Sequence, residues 1–163
     1  MTALIRMPAI FVPMAKEEQI ESGGQAQSAQ DADILRRARQ YIELETQLQE
    51  QFKQWLPDVD EKLLAGSKES KYLKKLGHRA LSKADELRIV QALGDVVQKQ
   101  RIAAFEQAQT ELSQRLAEIS NIGLVLKQAG VNYNTYYLRA AKPTLWKAEE
   151  IVAIMTVIER LQL

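Results

Sequence analysis

Apolar residues recur at alternating spacings of three and four along three stretches of this chain, and each stretch reads as an amphipathic helix. In the first, Ile34, Ala38, Tyr41, Glu45, Leu48, Phe52 and Trp55 form a coiled-coil-like seam interrupted by one Glu, which predicts a helix over about residues 31–56. Asp31 or Asp33 stands near its start as a cap, and Pro57 ends it. The second stretch opens at Ser82, with Asp85 and Glu86 in the first turn, where carboxylates suit the positive end of the helix dipole. Its helical pattern runs to about Ile119, broken only by Gly94. The stripe begins as Leu87, Val90, Leu93 and Val97. It restarts, one residue out of phase, as Phe105, Gln109, Leu112, Leu116 and Ile119, so either the helix bends near Gly94 or the buried face rotates. The third stretch, Ile151, Ile154, Met155, Ile158 and Leu161, is widened by Val152 and Val157, which hint at a dimer contact. The two long helices pair most simply as an antiparallel hairpin or an intermolecular coiled coil.

Before the third stretch the pattern shortens. Ile122, Val125, Leu126 and Ala129 fall at helical spacing, and Gly130 then supplies a stop that favours positive φ. Asn132 can cap a further helix over about residues 133–141, which Lys142-Pro143-Thr144 ends, because the residue before a proline leaves the helical region. Two helices joined by a short glycine-containing turn make a helix-turn-helix, whose second helix enters the DNA major groove.

At Ala129-Gly130-Val131, the polar Asn132-Tyr133-Asn134-Thr135 and the following Tyr136-Tyr137-Leu138-Arg139, the chain resembles the small helix-turn-helix domains of the phage repressor (Cro/C1, XRE-like) superfamily. Residues 146–151, after a loop, look like the helix that closes such domains. The resemblance covers about the last quarter of the chain. Leu126 stands four before the turn glycine, where the family prefers a small residue, and Arg139 stands nine after it, where the family has an apolar one. The resemblance implies a dimeric bacterial or phage transcriptional regulator acting on a two-fold duplex site.

On that reading Asn132, Tyr133, Asn134, Thr135, Tyr137 and Arg139 lie at a DNA face, with Lys127 and Lys142 flanking the groove and Tyr136 and Leu138 turned inward. Asn pairs bidentately with adenine, Arg with guanine, and Thr or Tyr with phosphate. The rival reading is a tight helical hairpin with Tyr133, Tyr136 and Tyr137 as core or interface aromatics. The protein is then an adaptor, an antitoxin-like or inhibitor subunit, or a phage assembly component, and the module contacts protein.

Within the connector over residues 58–82, the segment 67–79 carries Lys68, Lys71, Lys74, Lys75, His78 and Arg79, with Lys83 just beyond, and only Glu69 opposes them there. Lys71, Lys74, Lys75 and Arg79 are the candidates for phosphate contacts without sequence preference. The alternative is a solvated helix face with Tyr72, Leu73 and Leu76 tucked inward.

At the other end, residues 1–15 read as an extended apolar arm that docks on a partner or a second subunit, and residues 16–31 as a polar linker or a loose helix. The start superficially matches a signal peptide, but Pro8 and Pro13 break its apolar run. No run approaches the ~20 apolar residues that span a bilayer, and a cytoplasmic location is expected.

Composition adds exclusions. A formal net charge of +1 means that any attraction to nucleic acid must be local. No Cys and a single His, His78, exclude disulfides, thiolate sites and His-based metal clusters. P-loop, G-x-S-x-G and H-E-x-x-H patterns are missing, and the paired carboxylates lie on charged segments. The expectation is a non-enzyme without cofactor or metal. The predicted fold is all-α: an arm and linker (1–30), a helical hairpin for assembly (31–101), and a helix-turn-helix bundle (102–163) appended to it.

Overall fold

A computed structural model describes residues 24–163 with their side chains. The expected arm and the signal-like start lie outside the described residues. The fold is all-α. Helix α1 (Thr2–Trp55, considered from Gly24 onward) is followed by 3-10 turns at Leu56–Asp58 and Glu61–Leu63. Then come α2 (Lys68–Lys75), α3 (Lys83–Leu93), α4 (Val96–Ala117), α5 (Ile122–Ala129), α6 (Tyr133–Ala141), a 3-10 turn Pro143–Leu145, and α7 (Ala148–Leu161). Among the described residues no helix is long and apolar enough to cross a membrane. Of the two readings of the segment before residue 31, the helical one holds over its described part, 24–30.

The expected hairpin forms within one chain. Gln98 donates to Gln51, Arg37 donates to the Ala104 carbonyl (3.3 Å) and pairs with Glu111, and Arg115 pairs with Asp31 (2.9 Å). Numbers rise along one helix as they fall along the other, so α1 and α4 are antiparallel. Tyr41 of α1 stacks on Phe105 of α4, with ring centroids 3.9 Å apart and 6° between planes.

The second long helix is two helices. Gly94 is extended (φ −72°, ψ 158°), and Asp95 restarts the chain as the cap of α4, exchanging bonds with Gln98 in a capping box. The phase slip in the sequence is therefore a break. A Cβ at Gly94 would meet the Val90 carbonyl at 2.6 Å, so the glycine is there for close approach. The break also corrects the expected stripe. Leu93 and Val97 are exposed, while Val90 is buried as expected and is joined by Ile89, Gln98 and Ile102.

The C-terminal unit is joined to the hairpin by a shared core. Helix α7 packs on α1 and carries α5 on another side, while the Pro143–Leu145 turn sits on α4. A single buried cluster runs from Ile34 to Ile158, and the divide expected at 101/102 falls inside α4. Val157, expected at a dimer face, is buried within the chain, and Val152 packs partly against the same core. Trp146, expected to begin a helix, precedes α7 in extended conformation and is almost wholly buried. Its Nε1 donates to Ser113 Oγ (2.9 Å), and Gln109 Nε2 donates to the carbonyls of Trp146 (2.7 Å) and Thr144 (3.1 Å). Gln109 is a seam position that buries a polar group because backbone carbonyls need it.

Candidate functional site

Helix α5 ends as its sequence requires. Gly130 is left-handed (φ 75°), its N–H donates to the Lys127 carbonyl and that of Val131 to Leu126, and Val131 is buried behind them. This is a Schellman stop with its hydrophobic contact. The Asn132 side chain then accepts from the Thr135 N–H (2.7 Å) and starts α6. Gly123 of α5 lies against the Tyr133 hydroxyl, where any Cβ would collide, so the start of α6 sits close on α5.

Helix α6 has no fully buried residue. Tyr133, Asn134, Tyr137, Leu138 and Ala141 are exposed and share one face by their spacing, with Tyr137 63% and Leu138 62% accessible. Thr135, Tyr136 and Arg139 are half-buried, and Tyr136 packs against the core. The expected site residues thus separate into two groups. Tyr133, Asn134 and Tyr137 come together on the outer face, and Lys127 and Lys142 are exposed on either side of it in sequence. Asn132 is exposed, but its oxygen is taken by the cap.

Arg139 needs a correction. Its Nε donates to Glu150 Oε1 (2.8 Å) from a position where both side chains are mostly covered, so its guanidinium is not presented outward to a base. The same Glu150 oxygen accepts from the Lys147 N–H (2.9 Å) at the start of α7. Arg139 occupies an inward position, as the resemblance would place an apolar residue there, and α7 supplies the counter-charge. Leu138, expected inward, points to solvent instead.

The lysine cluster is also re-sorted. Helix α2 turns Ser70 and Lys74 inward, and Tyr72 and Leu76, expected inside, are 61% and 51% accessible. Lys74 is buried: its Nζ donates to Asp85 Oδ2 (2.6 Å) and to the Ala65 carbonyl (2.9 Å), so it is not a phosphate contact. Asp85, fully buried, also accepts from the N–H groups of Ala65 (2.8 Å) and Ser82 (3.0 Å) and from Arg88 (2.8 Å). Burial pushes its carboxyl upward, but Lys74 and these N–H donors outweigh that and hold it well below the ordinary carboxylate range. Lys83 is held by the Tyr41 hydroxyl and by Glu45 (3.2 Å). Lys71 and Lys75 are half-buried and Lys68 and Arg79 exposed. Among the described residues none of these four lies within ion-pair distance of a carboxylate.

Two features went unread in the sequence: the Lys74–Asp85 pair and the Arg139–Glu150 pair. Spacing gives no signal for either, because each joins two elements. No protein-family model, curated protein or solved structure matches the chain.

Proposed function

We propose that this chain is a non-catalytic duplex DNA-binding protein in which the outer face of α6 reads the major groove, a transcriptional regulator acting as a dimer on a two-fold site. One observation carries the reading. A left-handed glycine turn and an asparagine cap present a helix with a wholly solvated face, and no acidic residue occurs anywhere in residues 119–148. Lys127, Lys142 and Lys147 are exposed in that segment. A segment that repels no phosphate and holds three free-standing ammonium groups suits a polyanion, although the whole chain is nearly neutral. Asn134 is the base-reading candidate, through bidentate bonds to adenine; Tyr137 offers its hydroxyl to phosphate, and the rings of Tyr133 and Tyr137 offer apolar contact to thymine methyls.

A second reading has its own support. Tyr137 and Leu138 are large, more than half accessible and adjacent, and Leu124 and Leu145 are exposed on neighbouring elements. Such side chains are common at protein interfaces. The same module would then contact a protein.

The test is binding to labelled duplex across a salt series. The three lysines of this segment contribute about −3 to the slope of log K against log salt. Asn134→Ala with Tyr137→Ala should remove preference for a selected site over random duplex and leave the melting temperature unchanged. Absence of duplex binding by the wild-type chain at low salt would end this reading in favour of the protein interface.

A further inference from the structure

We infer that α2 and the turn after it form a second duplex contact, in which Lys68, Lys71, Lys75 and Arg79 meet phosphates that α6 does not reach. The inference takes the duplex from the reading of α6 but stands on separate residues. Residues 62–84 hold seven Lys and Arg against one carboxylate, Glu69. The fold spends two of the seven: Lys74 goes inward to Asp85, and Lys83 goes to Tyr41 and Glu45. Burying Lys74 fixes the rotation of α2. Lys68, Lys71 and Lys75, spaced three and four apart, then line one side of the helix beside that buried pair, Lys68 exposed and the other two half-buried. Arg79 lies two residues after the left-handed Gly77 (φ 78°) that ends the helix, and it is exposed.

The occupant follows from charge and from shape. A row of cations without acidic partners among the described residues complements a regularly spaced polyanion. The exposed large apolar side chains beside them are only two, Tyr72 on the helix and Leu76 just after it. That is too little apolar surface to anchor a helix in a lipid interface.

The position makes these contacts additional to those of α6. The turn that follows α6 is fixed on Gln109 of α4, at the level where Arg37 of α1 meets Ala104 and Glu111. Helix α2 packs beside the turn Leu56–Asp58 at the far end of α1. The nineteen residues of α1 between these levels correspond to ~30 Å at about 1.5 Å per residue. The two lysine groups therefore engage different phosphates, and their counterion release adds.

The experiment compares wild type with the variant Lys68→Gln/Lys71→Gln/Lys75→Gln/Arg79→Gln on a 30-base-pair random duplex over a salt series, with a circular-dichroism melt of each. The variant should lose about 3–4 units of slope, near 0.9 for each phosphate contact, and at least tenfold in affinity at low salt. If the fourfold variant does not fold, Lys71→Gln and Arg79→Gln singly should each lower the slope by about 0.9. An unchanged slope overturns the inference, whatever α6 does. The α6 variant Asn134→Ala/Tyr137→Ala separates the two ideas. Loss of slope in the α2 variant with site preference untouched in the α6 variant upholds this contact and removes the α6 reading. Wild-type binding to vesicles of 30% phosphatidylserine without binding to duplex overturns the inference, as does binding to neither.

Discussion

The Asp85→Asn substitution removes the charge from the most enclosed polar cluster in the described chain. Asp85 is fully buried and Lys74 nearly so, and the carboxylate is the only acidic partner within 4 Å of that ammonium. Breaking a buried pair by removing one partner costs about 3–5 kcal/mol, because the other charge stays behind without compensation. The structure makes the two halves unequal. After Lys74→Met, Asp85 keeps Arg88 and the N–H groups of Ala65 and Ser82, whereas after Asp85→Asn, Lys74 keeps the Ala65 carbonyl and an amide oxygen. Asp85→Asn should therefore cost more than Lys74→Met, and the double substitution should recover part of the loss. At about 2–4 °C per kcal/mol for a chain of this size, the single change lowers the melting temperature by roughly 6–20 °C. The pH dependence follows in sign. A folded-state pKa held below the unfolded value of ~3.9 contributes stability that is complete above that value and is lost as pH falls through the folded one. Wild type should thus lose stability steeply below about pH 4, and Asp85→Asn should flatten that limb. Urea titration of the four chains at pH 7 and pH 3 measures both. A loss below about 1 kcal/mol for Asp85→Asn, the range of a solvated pair, would refute the buried-pair account.

Two further outcomes follow from the geometry. Gly94→Ala places a methyl 2.6 Å from the Val90 carbonyl, backbone that cannot swing aside, and should cost about 1–3 kcal/mol in a thermal melt although φ and ψ there suit any residue. Arg139→Met keeps the covered stem and removes one charged hydrogen bond, leaving Glu150 with the Lys147 N–H; stability should fall by about 1–2 kcal/mol while preference for a selected duplex site stays unchanged. A lost preference with intact stability would instead return Arg139 to the reading face.

Helix ends were legible because they are written locally. Gly130, Asn132, Ser82, Pro57 and Pro143 each act within four residues, and the structure places a boundary beside every one. The seams of α1 and of the second half of α4 were legible because their inward faces repeat. What failed were polar pairs that join two elements, and the stripe that crosses the break at Gly94. Helix α2 seemed to have an apolar inside, yet Asp85, eleven residues on, draws Lys74 inward and leaves Tyr72 and Leu76 in water. Leu93 and Val97 seemed to continue a stripe, and the break at Gly94 turned them out. Arg139 read as a base contact because Glu150 cannot be assigned to it from spacing alone. The outer face of α6 was half legible: Asn134, Tyr133 and Tyr137 stand where expected, and Leu138 does not.

The larger consequence concerns how the helix-turn-helix is held. A free-standing reading head would bury α5 and α6 against a closing helix of its own, and the hairpin could be cut away. Here the closing helix, α7, lies between α5 and α1, so its two apolar sides serve both halves at once. Ile151, Ile154, Met155 and Ile158 form one buried stripe, and Ala148, Val157 and in part Val152 widen it on both sides, more than one neighbour would need. Trp146, Gln109 and Ser113 tie the segment before α7 to α4, and Arg139–Glu150 ties α6 to α7. The position of the α6 face is therefore set by the hairpin through two connections, one through α7 and one through the Pro143–Leu145 turn. Any change in how α1 and α4 pack is transmitted to α6 as a displacement of both. The long helices determine the distance and angle at which the α6 face and the α2 lysines meet whatever lies across from them.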